Sequence, residues 1–516
     1  MPLAGAAVGL AALTVTARVV GFGRVAVLTR TVGTGCVGDA YSTANQLPNV
    51  VFEVVAGGAL AATVVPLLAS AVARGDRERV GRTSSALLTW TVLVLTPVTL
   101  VGLLAAPMLL RLLAGGHPAC GRALLTEGTT MLRVFLPQVL LYGVAVVLTG
   151  VLQAHRRFLG PALAPLLSSL VVLAAYLVYG ALGPQPLGQL SAGRSLVLSL
   201  GTTLGVAALA LPLLVPLRRC GVSLRPSLTF PPGVARQARG LAASGLAGLL
   251  AQQGALLVAL RLANGGREGD VVVLLVATAL FQLPWAVLAL PVATTSFPTL
   301  AARHADGDEA AYSQVSSAAL RTVLVVSAGA SGLLVLVAAP AARLLAQGGQ
   351  GADRVAALAS AGRAFAPGLV GFSLLALLGR ALLARGNARA PAVATAAGWG
   401  VVAAADLLLC GATSLPRGVA LGLGNSAGMT VAGIALLASL RRSAGPAALR
   451  GAARTATVSL TGGAGLAALS LVVPGLPSSL PAAVGAGAAL ALAGACGYVV
   501  LLRLLEPDVL TLVRRA

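Results

Sequence analysis

Apolar residues run through this chain in blocks of about 20, and about 20 residues rising 1.5 Å each are what a helix needs to cross a bilayer. Segmenting on that length gives spans at roughly 3–28, 41–73, 84–113, 127–153, 159–183, 193–217, 238–263, 270–302, 314–345, 356–384, 390–414, 417–440, 453–474 and 480–504. That is about fourteen helices joined by short polar stretches. The second and eighth blocks are overlong for one straight crossing and are predicted to bend at internal Pro and Gly. The first block is apolar from Pro2 to Val20, has no positive stretch before it, and continues through Gly21 to Leu28. It is therefore expected to be an uncleaved first helix and not a signal peptide.

Composition changes this picture only by sharpening it. Of 516 residues, 57% are hydrophobic and only 10% charged, and the mean hydropathy is +0.93. Soluble domains carry roughly 25% charged residues, so a soluble enzyme is excluded, as is a disordered chain, which needs low hydrophobicity. The expected class is an all-α polytopic membrane protein. The net charge of +22 comes from 36 basic residues, all of them Arg, against 14 acids. Nucleic-acid binding would need a basic face with stacking aromatics, but aromatics are 3% and the Arg residues lie in small clusters between apolar blocks.

Those clusters carry topology. With the N-terminus inside, the loops after even-numbered spans hold 22 Arg, among them Arg74, Arg77, Arg156, Arg218, Arg385 and Arg441, while the opposite loops hold 8. Arg is enriched on the cytoplasmic side, so the expected orientation is N-in and C-in. The five cysteines, Cys36, Cys120, Cys220, Cys410 and Cys496, have neither metal-ligand spacing nor the look of a disulfide framework. His117, His155 and His304 stand apart, no Ser, His and carboxylate set is evident, and the glycines at 348–351 read as a flexible turn. Acids and bases are too few for an enzyme.

An internal repeat gives the domain organisation. Gln46-Leu47-Pro48 followed by Pro66-Leu67-Leu68-Ala69 and Gly75-Asp76 is echoed by Gln282-Leu283-Pro284, Pro298-Thr299-Leu300-Ala301 and Gly307-Asp308. The prediction is two six-helix lobes, 1–220 and 221–445, related by an axis along the membrane normal, with two further helices in 446–516. Two lobes facing each other across a cavity form the architecture of alternating-access transporters.

Ionisable groups at bilayer depth cost about 2.5–3.5 kcal/mol each on insertion scales, so those that remain call for a role or a partner. The candidates are Arg18, Arg24, Glu53, Arg261 and Asp406, with Asp39, Glu127 and Asp270 near helix ends. Arg18 and Arg24 share the first helix, where Gly21 and Gly23 would let it bend and bring both to one cavity. A guanidinium stays charged and donates two parallel hydrogen bonds to phosphate or carboxylate, so cations in a cavity imply an anionic ligand. The competing readings are snorkelling to the interface or pairing with Glu53 or Asp39. Asp406 is a candidate proton or cation site, with a structural hydrogen bond as the alternative.

The stretch from Ala17 to Arg24, then Gly38-Asp39-Ala40-Tyr41, Gln46-Leu47-Pro48-Asn49, Gly58-Ala59-Leu60 and Val65-Pro66, resembles the MurJ (MviN) lipid II flippases of bacterial cell-wall synthesis. Gln153 with Arg156, Arg157 and Phe158, Ala164-Pro165, Leu257 through Arg261 to Gly269, Phe297-Pro298-Thr299-Leu300, and Arg380, Arg389 and Pro391 extend the resemblance over nearly the whole chain. It implies two six-helix lobes plus two helices that form a groove for a lipid tail. It also implies a polyprenyl-diphosphate-linked glycan as cargo, moved across the cytoplasmic membrane, with Arg18, Arg24, Asp39, Asn49 and Arg261 at the substrate. Glu53 and Asp406 are candidate ion or gating residues from their place in apolar blocks. Members often carry Arg where this chain has Phe52, an acid at Gly57, an Asp-Arg pair at Thr278 and Ala279, and an Asp at Leu260, so another polyprenyl-linked glycan stays open as cargo. No cofactor is expected, and an ion gradient or the membrane potential would drive the cycle. The chain is expected to act as a monomer beside membrane lipid, with cell-wall synthesis proteins as further partners. Two alternatives remain: a cation-coupled multidrug exporter using Glu53 and Asp406, and a non-transporting cell-wall scaffold.

Overall fold

The computed structural model describes residues 2–54, 61–222, 224–230, 234–346, 351–472 and 479–509. Nineteen α-helices and no strand lie among them. Gly57 to Leu60 and the glycines at 348–350 lie outside the described residues. The chain divides into two compact units, residues 1–253 with 267–272, and residues 254–266 with 273–516.

The first unit holds α1 (Pro2–Thr31), α2 (Cys36–Phe52), α3 (Ala61–Ala73), α4 (Arg77–Ala114), α5 (Gly121–Phe135), α6 (Gln138–Ala154), α7 (Leu159–Ala181), α8 (Ala192–Ala210) and α9 (Leu214–Arg219). It also takes the first part of α10 (Val234–Asn264) and the first residues of α11 (Asp270–Pro284). α1 runs as one helix through Gly21 and Gly23, so no break separates Arg18 from Arg24. One core packs Tyr41, Leu110, Phe135 and Tyr179, and a second packs Leu68, Leu148 and Leu152. The extended stretch before α10 is pinned to α4: Trp90 Nε1 donates to the Leu228 carbonyl, and Ser85 and Thr89 hydroxyls accept from Arg225 and Ser227 N–H.

The second unit continues α10 and α11 and adds α12 (Leu290–Ala305), α13 (Glu309–Leu345), α14 (Ala352–Phe365), α15 (Gly368–Ala384), α16 (Arg389–Ala412), α17 (Arg417–Ala444), α18 (Ala452–Val472) and α19 (Leu480–Leu505). α13 is its central post, with α12, α14, α15, α18 and α19 packed around it. α16 lies against α17 through glycines: a methyl on Gly398 would stand 2.6 Å from Ala432 Cβ. Small residues let apolar helices approach where lipid gives no hydrophobic drive to associate.

Ten helical segments among the described residues are long and apolar enough to cross a membrane, and α14 with α15, bent by 43°, makes an eleventh. Fourteen crossings, the number expected from hydropathy, are not reached among the described residues, and α1, α2, α3 and α10 are not among the eleven. The outer face of α4 shows why water is the wrong solvent: Val101 is 63% exposed, Leu104 83% and Met108 72%. An apolar stripe of that length belongs in lipid.

The repeat is visible atom by atom. Gly75 and Gly307 both take positive φ, +68° and +74°, a conformation suited to glycine. The next residue caps the following helix in each case: Asp76 accepts from Arg79 N–H at 2.9 Å and Asp308 from Ala311 N–H at 2.9 Å. The breaks at Pro137 between α5 and α6 and at Pro367 between α14 and α15 correspond in the same way. After Pro284 the eighth block loosens into one π turn, Trp285–Ala289, before α12, and Asp270–Ala305 still reads as one continuous span.

Candidate functional site

In the first unit a polar patch forms where α1, α2, α6, α7 and α8 meet. Arg24 is half-buried on α1, and among the described residues it forms no ion pair. Its charge is within electrostatic reach of the Tyr41, Tyr142 and Tyr176 hydroxyls. The Tyr142 hydroxyl donates to Asn49 Oδ1 at 2.9 Å, and Asn49 Nδ2 donates to Gln46 Oε1 at 3.1 Å. Phe52, one turn beyond Asn49, stacks on the Tyr142 ring with centroids 4.3 Å apart. Beneath this layer Thr202 donates to the Leu198 carbonyl, which leaves its oxygen to accept from Tyr41 at 2.7 Å while Tyr41 accepts from Tyr176 at 2.8 Å. A guanidinium with no ion pair among the described residues, within electrostatic reach of tyrosines already in fixed hydrogen bonds, offers charge-assisted donors to an anionic ligand.

The other candidates separate. Arg18 is exposed on α1, and Glu53 is exposed at the C-terminal end of α2. Arg261 is exposed in the last turn of α10, where a cation also favours the helix dipole, and belongs to the second unit. Asp39 does not stand beside Arg24's polar layer as a free carboxylate. It is fully buried, accepts from Gly269 N–H at 2.5 Å and Val272 N–H at 3.4 Å, and faces His117 Nε2 at 3.5 Å. Asp406 is 1% exposed on α16, and its Oδ1 has no hydrogen-bond partner. Of the positions that depart from the resemblance, Thr278 hydrogen-bonds the Leu274 carbonyl of its own helix.

Two expectations are corrected here. Cys36 and Cys120 form a disulfide although 84 residues separate them, because α2 and α5 begin side by side. Spacing along the chain cannot show a pairing made by helix packing. His117 is likewise not isolated, being buried against Asp39 and Cys120. The polar layer under Arg24 was also missed; its signal was that only 6 tyrosines occur in so apolar a chain, and three of them converge here.

In the second unit an apolar groove of about 610 Å³ runs between α13, α18 and α19. Its walls include Leu336, Leu466 and Leu490, and its floor is kept low by glycines, for Gly465 and Gly497 have open space where a side chain would be.

These features define a class: a multi-pass helical membrane protein of two units that share a Gly-Asp corner, with a cation in no ion pair among the described residues in one unit and an apolar groove in the other. The chain belongs to the family described as Lipid II flippase MurJ, whose model matches residues 28–487. It is 28% identical over 343 residues to the probable lipid II flippase MurJ of Rhizobium meliloti (strain 1021), a match covering 65% of this chain and 62% of that relative. The lipid II flippase MurJ of Burkholderia cenocepacia is 26% identical over 393 residues, covering 76% of this chain and 75% of the relative. A solved structure of lipid II flippase MurJ in an inward closed conformation shares the fold, with a TM-score of 0.77 over 98% of this chain and 100% of that one at 16% identity.

Proposed function

We propose that this chain moves lipid II, or a closely related polyprenyl-diphosphate-linked glycan, across the cytoplasmic membrane by alternating access. The observation that carries this reading is Arg24, half-buried, in no ion pair among the described residues and within electrostatic reach of the Tyr142, Tyr41 and Tyr176 hydroxyls. A diphosphate entering an apolar bundle loses its hydration, and a fixed guanidinium replaces it. The groove along α18 and α19 supplies the complementary half, an apolar surface for a polyprenyl tail. Arg18 assists at the head group, Asn49 positions Tyr142, and Arg261 of the second unit serves as a further cation for an anionic cargo. Asp39 serves the substrate path indirectly, through the segment it holds.

The cycle runs without covalent chemistry and without a cofactor. An ion gradient or the membrane potential drives it, with Asp406 as the group that binds a proton or cation and Glu53 as a gating charge. The chain works as a monomer with both termini in the cytoplasm, in contact with membrane lipid and with proteins of cell-wall synthesis. Native mass spectrometry of the purified chain tests the cargo. A polyprenyl diphosphate that co-purifies with the native chain and is lost from Arg24→Ala supports the reading; equal retention by both removes Arg24 from it. A second reading, a cation-coupled exporter of other amphiphiles, is favoured by the unpaired oxygen of buried Asp406. It predicts sodium- or proton-dependent dye efflux and no lipid retention.

A further inference from the structure

Cys36, Cys120, His117 and Asp39 meet at one end of the first unit, apart from the layer under Arg24. Ligand atoms of Asp39, His117 and Cys120 lie within 4.8 Å of one another, near enough to surround a metal ion. The hydrogen bonds argue for a different use. His117 Nδ1 accepts from the N–H groups of Ala119 at 3.3 Å and Cys120 at 3.2 Å, which puts the ring proton on Nε2. Nε2–H then faces Asp39 Oδ2 at 3.5 Å and Cys120 Sγ at 3.6 Å as a donor, with no lone pair for an ion. The two sulfurs are bonded to each other.

Against this cluster lies the segment 267–272, assigned to the first unit although the residues on either side of it belong to the second. Its attachment is reciprocal. Glu268 Oε1 accepts from Cys36 N–H at 2.9 Å, satisfying the start of α2, while Asp39 accepts from Gly269 and Val272 N–H at the start of α11. Gly269 takes φ of +87°, and Asp270 closes the turn by accepting from Arg267 N–H at 2.7 Å. The fit is close: a methyl on Gly38 would stand 2.9 Å from Val272 Cγ2.

We propose that the Cys36–Cys120 disulfide is a redox latch that sets how firmly segment 267–272 is held. Oxidised, it joins the first turn of α2 to the turn before α5, so the Cys36 N–H and the Asp39 carboxylate are fixed as one platform. Reduced, the platform is held by packing alone. Closing the latch removes two protons and two electrons from the thiols; a protein disulfide of the oxidase class accepts both and leaves as a dithiol. Opening begins when a thiolate attacks the Sγ of Cys36, the less buried of the two residues. The Cys36–Cys120 bond breaks, a mixed disulfide forms on Cys36, and Cys120 leaves as a thiolate stabilised by the His117 Nε2–H beside it. A second thiol then resolves the mixed disulfide. Disulfides persist in oxidising compartments, so this end faces away from the cytoplasm, in agreement with the orientation drawn from Arg. Control of transport by the latch rests on the proposed flippase reading; the latch itself does not.

Hydrogen–deuterium exchange on the full chain in nanodiscs tests it in four forms: oxidised, phosphine-reduced, Cys36→Ser/Cys120→Ser, and Glu268→Gln. Peptides carrying the Cys36 and Gly269 amides are expected to exchange about tenfold faster in the reduced chain and in the double variant. Glu268→Gln should raise exchange at Cys36 with the disulfide intact, which keeps the test decisive if the double variant fails to fold. Equal protection in the oxidised and reduced chains overturns the latch, as does a reduced chain that retains one zinc ion with both peptides protected. Vesicle flipping assays on the same samples separate the two readings. A change of threefold or more on reduction, on the order of a modest mutational effect, ties the latch to transport. An unchanged rate overturns that tie. Absence of flipping in both redox forms, with the exchange difference intact, overturns the flippase reading and leaves the latch standing.

Discussion

The carboxylate of Asp406 on α16 lies against the bare backbone of Gly424 on α17, so close that a methyl group at 424 would overlap Oδ1. A buried acid with an unpaired oxygen is costly, and the bare glycine is what leaves room for that oxygen. Gly424→Ala is therefore expected to displace Asp406 and lower stability by about 1–3 kcal/mol, the usual cost of overpacking, although alanine is the better helix former. Asp406→Asn keeps the volume and removes the charge. It should leave the melting temperature near that of the native chain while abolishing any sodium or pH dependence of transport. Thermal unfolding and ion-jump transport assays read the two effects separately, and unchanged ion dependence in Asp406→Asn would exclude this acid from coupling.

Arg24→Ala should reduce lipid retention and flipping by roughly 10- to 100-fold, since a hydrogen bond to a charged group contributes about 1.5–3 kcal/mol. Arg24→Lys should recover only part of the loss, because an ammonium is a point charge without the planar fork. Tyr142→Phe removes the hydroxyl that fixes Asn49 and should show a smaller loss with the arginine still present. Complementation of a flippase-depleted bacterium, with membrane expression measured in parallel, orders the three variants; a lysine variant as good as arginine would argue for simple charge in place of bidentate recognition.

Hydropathy made the helical class, the repeat and the cation on α1 legible, because each is written locally. Gly75-Asp76 and Gly307-Asp308 marked the repeat in the sequence, and in the structure each forms a local corner, a positive-φ glycine followed by a capping aspartate. Arg24 was likewise visible as a charge inside an apolar block. What stayed hidden was made by packing between distant helices. Asp39 stands out in the sequence as an acid near a helix end and by its place in the resemblance, but its hydrogen bonds to backbone N–H groups over two hundred residues away and its approach to His117 are written nowhere locally. The Cys36–Cys120 pair was missed for the same reason, and the tyrosines beneath Arg24 come from α2, α6 and α7.

The groove along α18 and α19 distinguishes space from contact. Gly465 has nothing near its missing side chain, whereas a methyl on Gly463 would stand 2.6 Å from the Ala328 carbonyl oxygen of α13. Gly465→Leu should thus fill the groove with stability unchanged within about 0.5 kcal/mol, as at an uncrowded surface position, and reduce retention of a polyprenyl lipid. Gly463→Ala should do the reverse, separating α18 from α13 and lowering the melting temperature. If Gly465→Leu retains lipid as the native chain does, the groove is packing and not a tail site.

Those two helices also meet α13 through Glu506, which is 4% exposed just beyond α19. It accepts from Arg321 Nη2 of α13 at 2.8 Å and from Thr455 Oγ1 of α18 at 3.3 Å, and pairs with Arg454 Nε at 3.0 Å. Arg321 is mostly buried and its side chain also donates to Thr455 Oγ1 at 3.0 Å, so removing the acid strands a buried cation. Glu506→Ala is expected to cost about 3–5 kcal/mol, as other broken buried pairs do. Arg454 is 74% exposed, and Arg454→Ala should cost less than about 1 kcal/mol. The double variant Arg321→Met/Glu506→Leu, which removes both charges, should recover much of the stability lost in Glu506→Ala. Chemical denaturation in detergent ranks the three; if Glu506→Ala is no worse than Arg454→Ala, α18 and α19 are held by apolar packing, and the ion pair is incidental to their position.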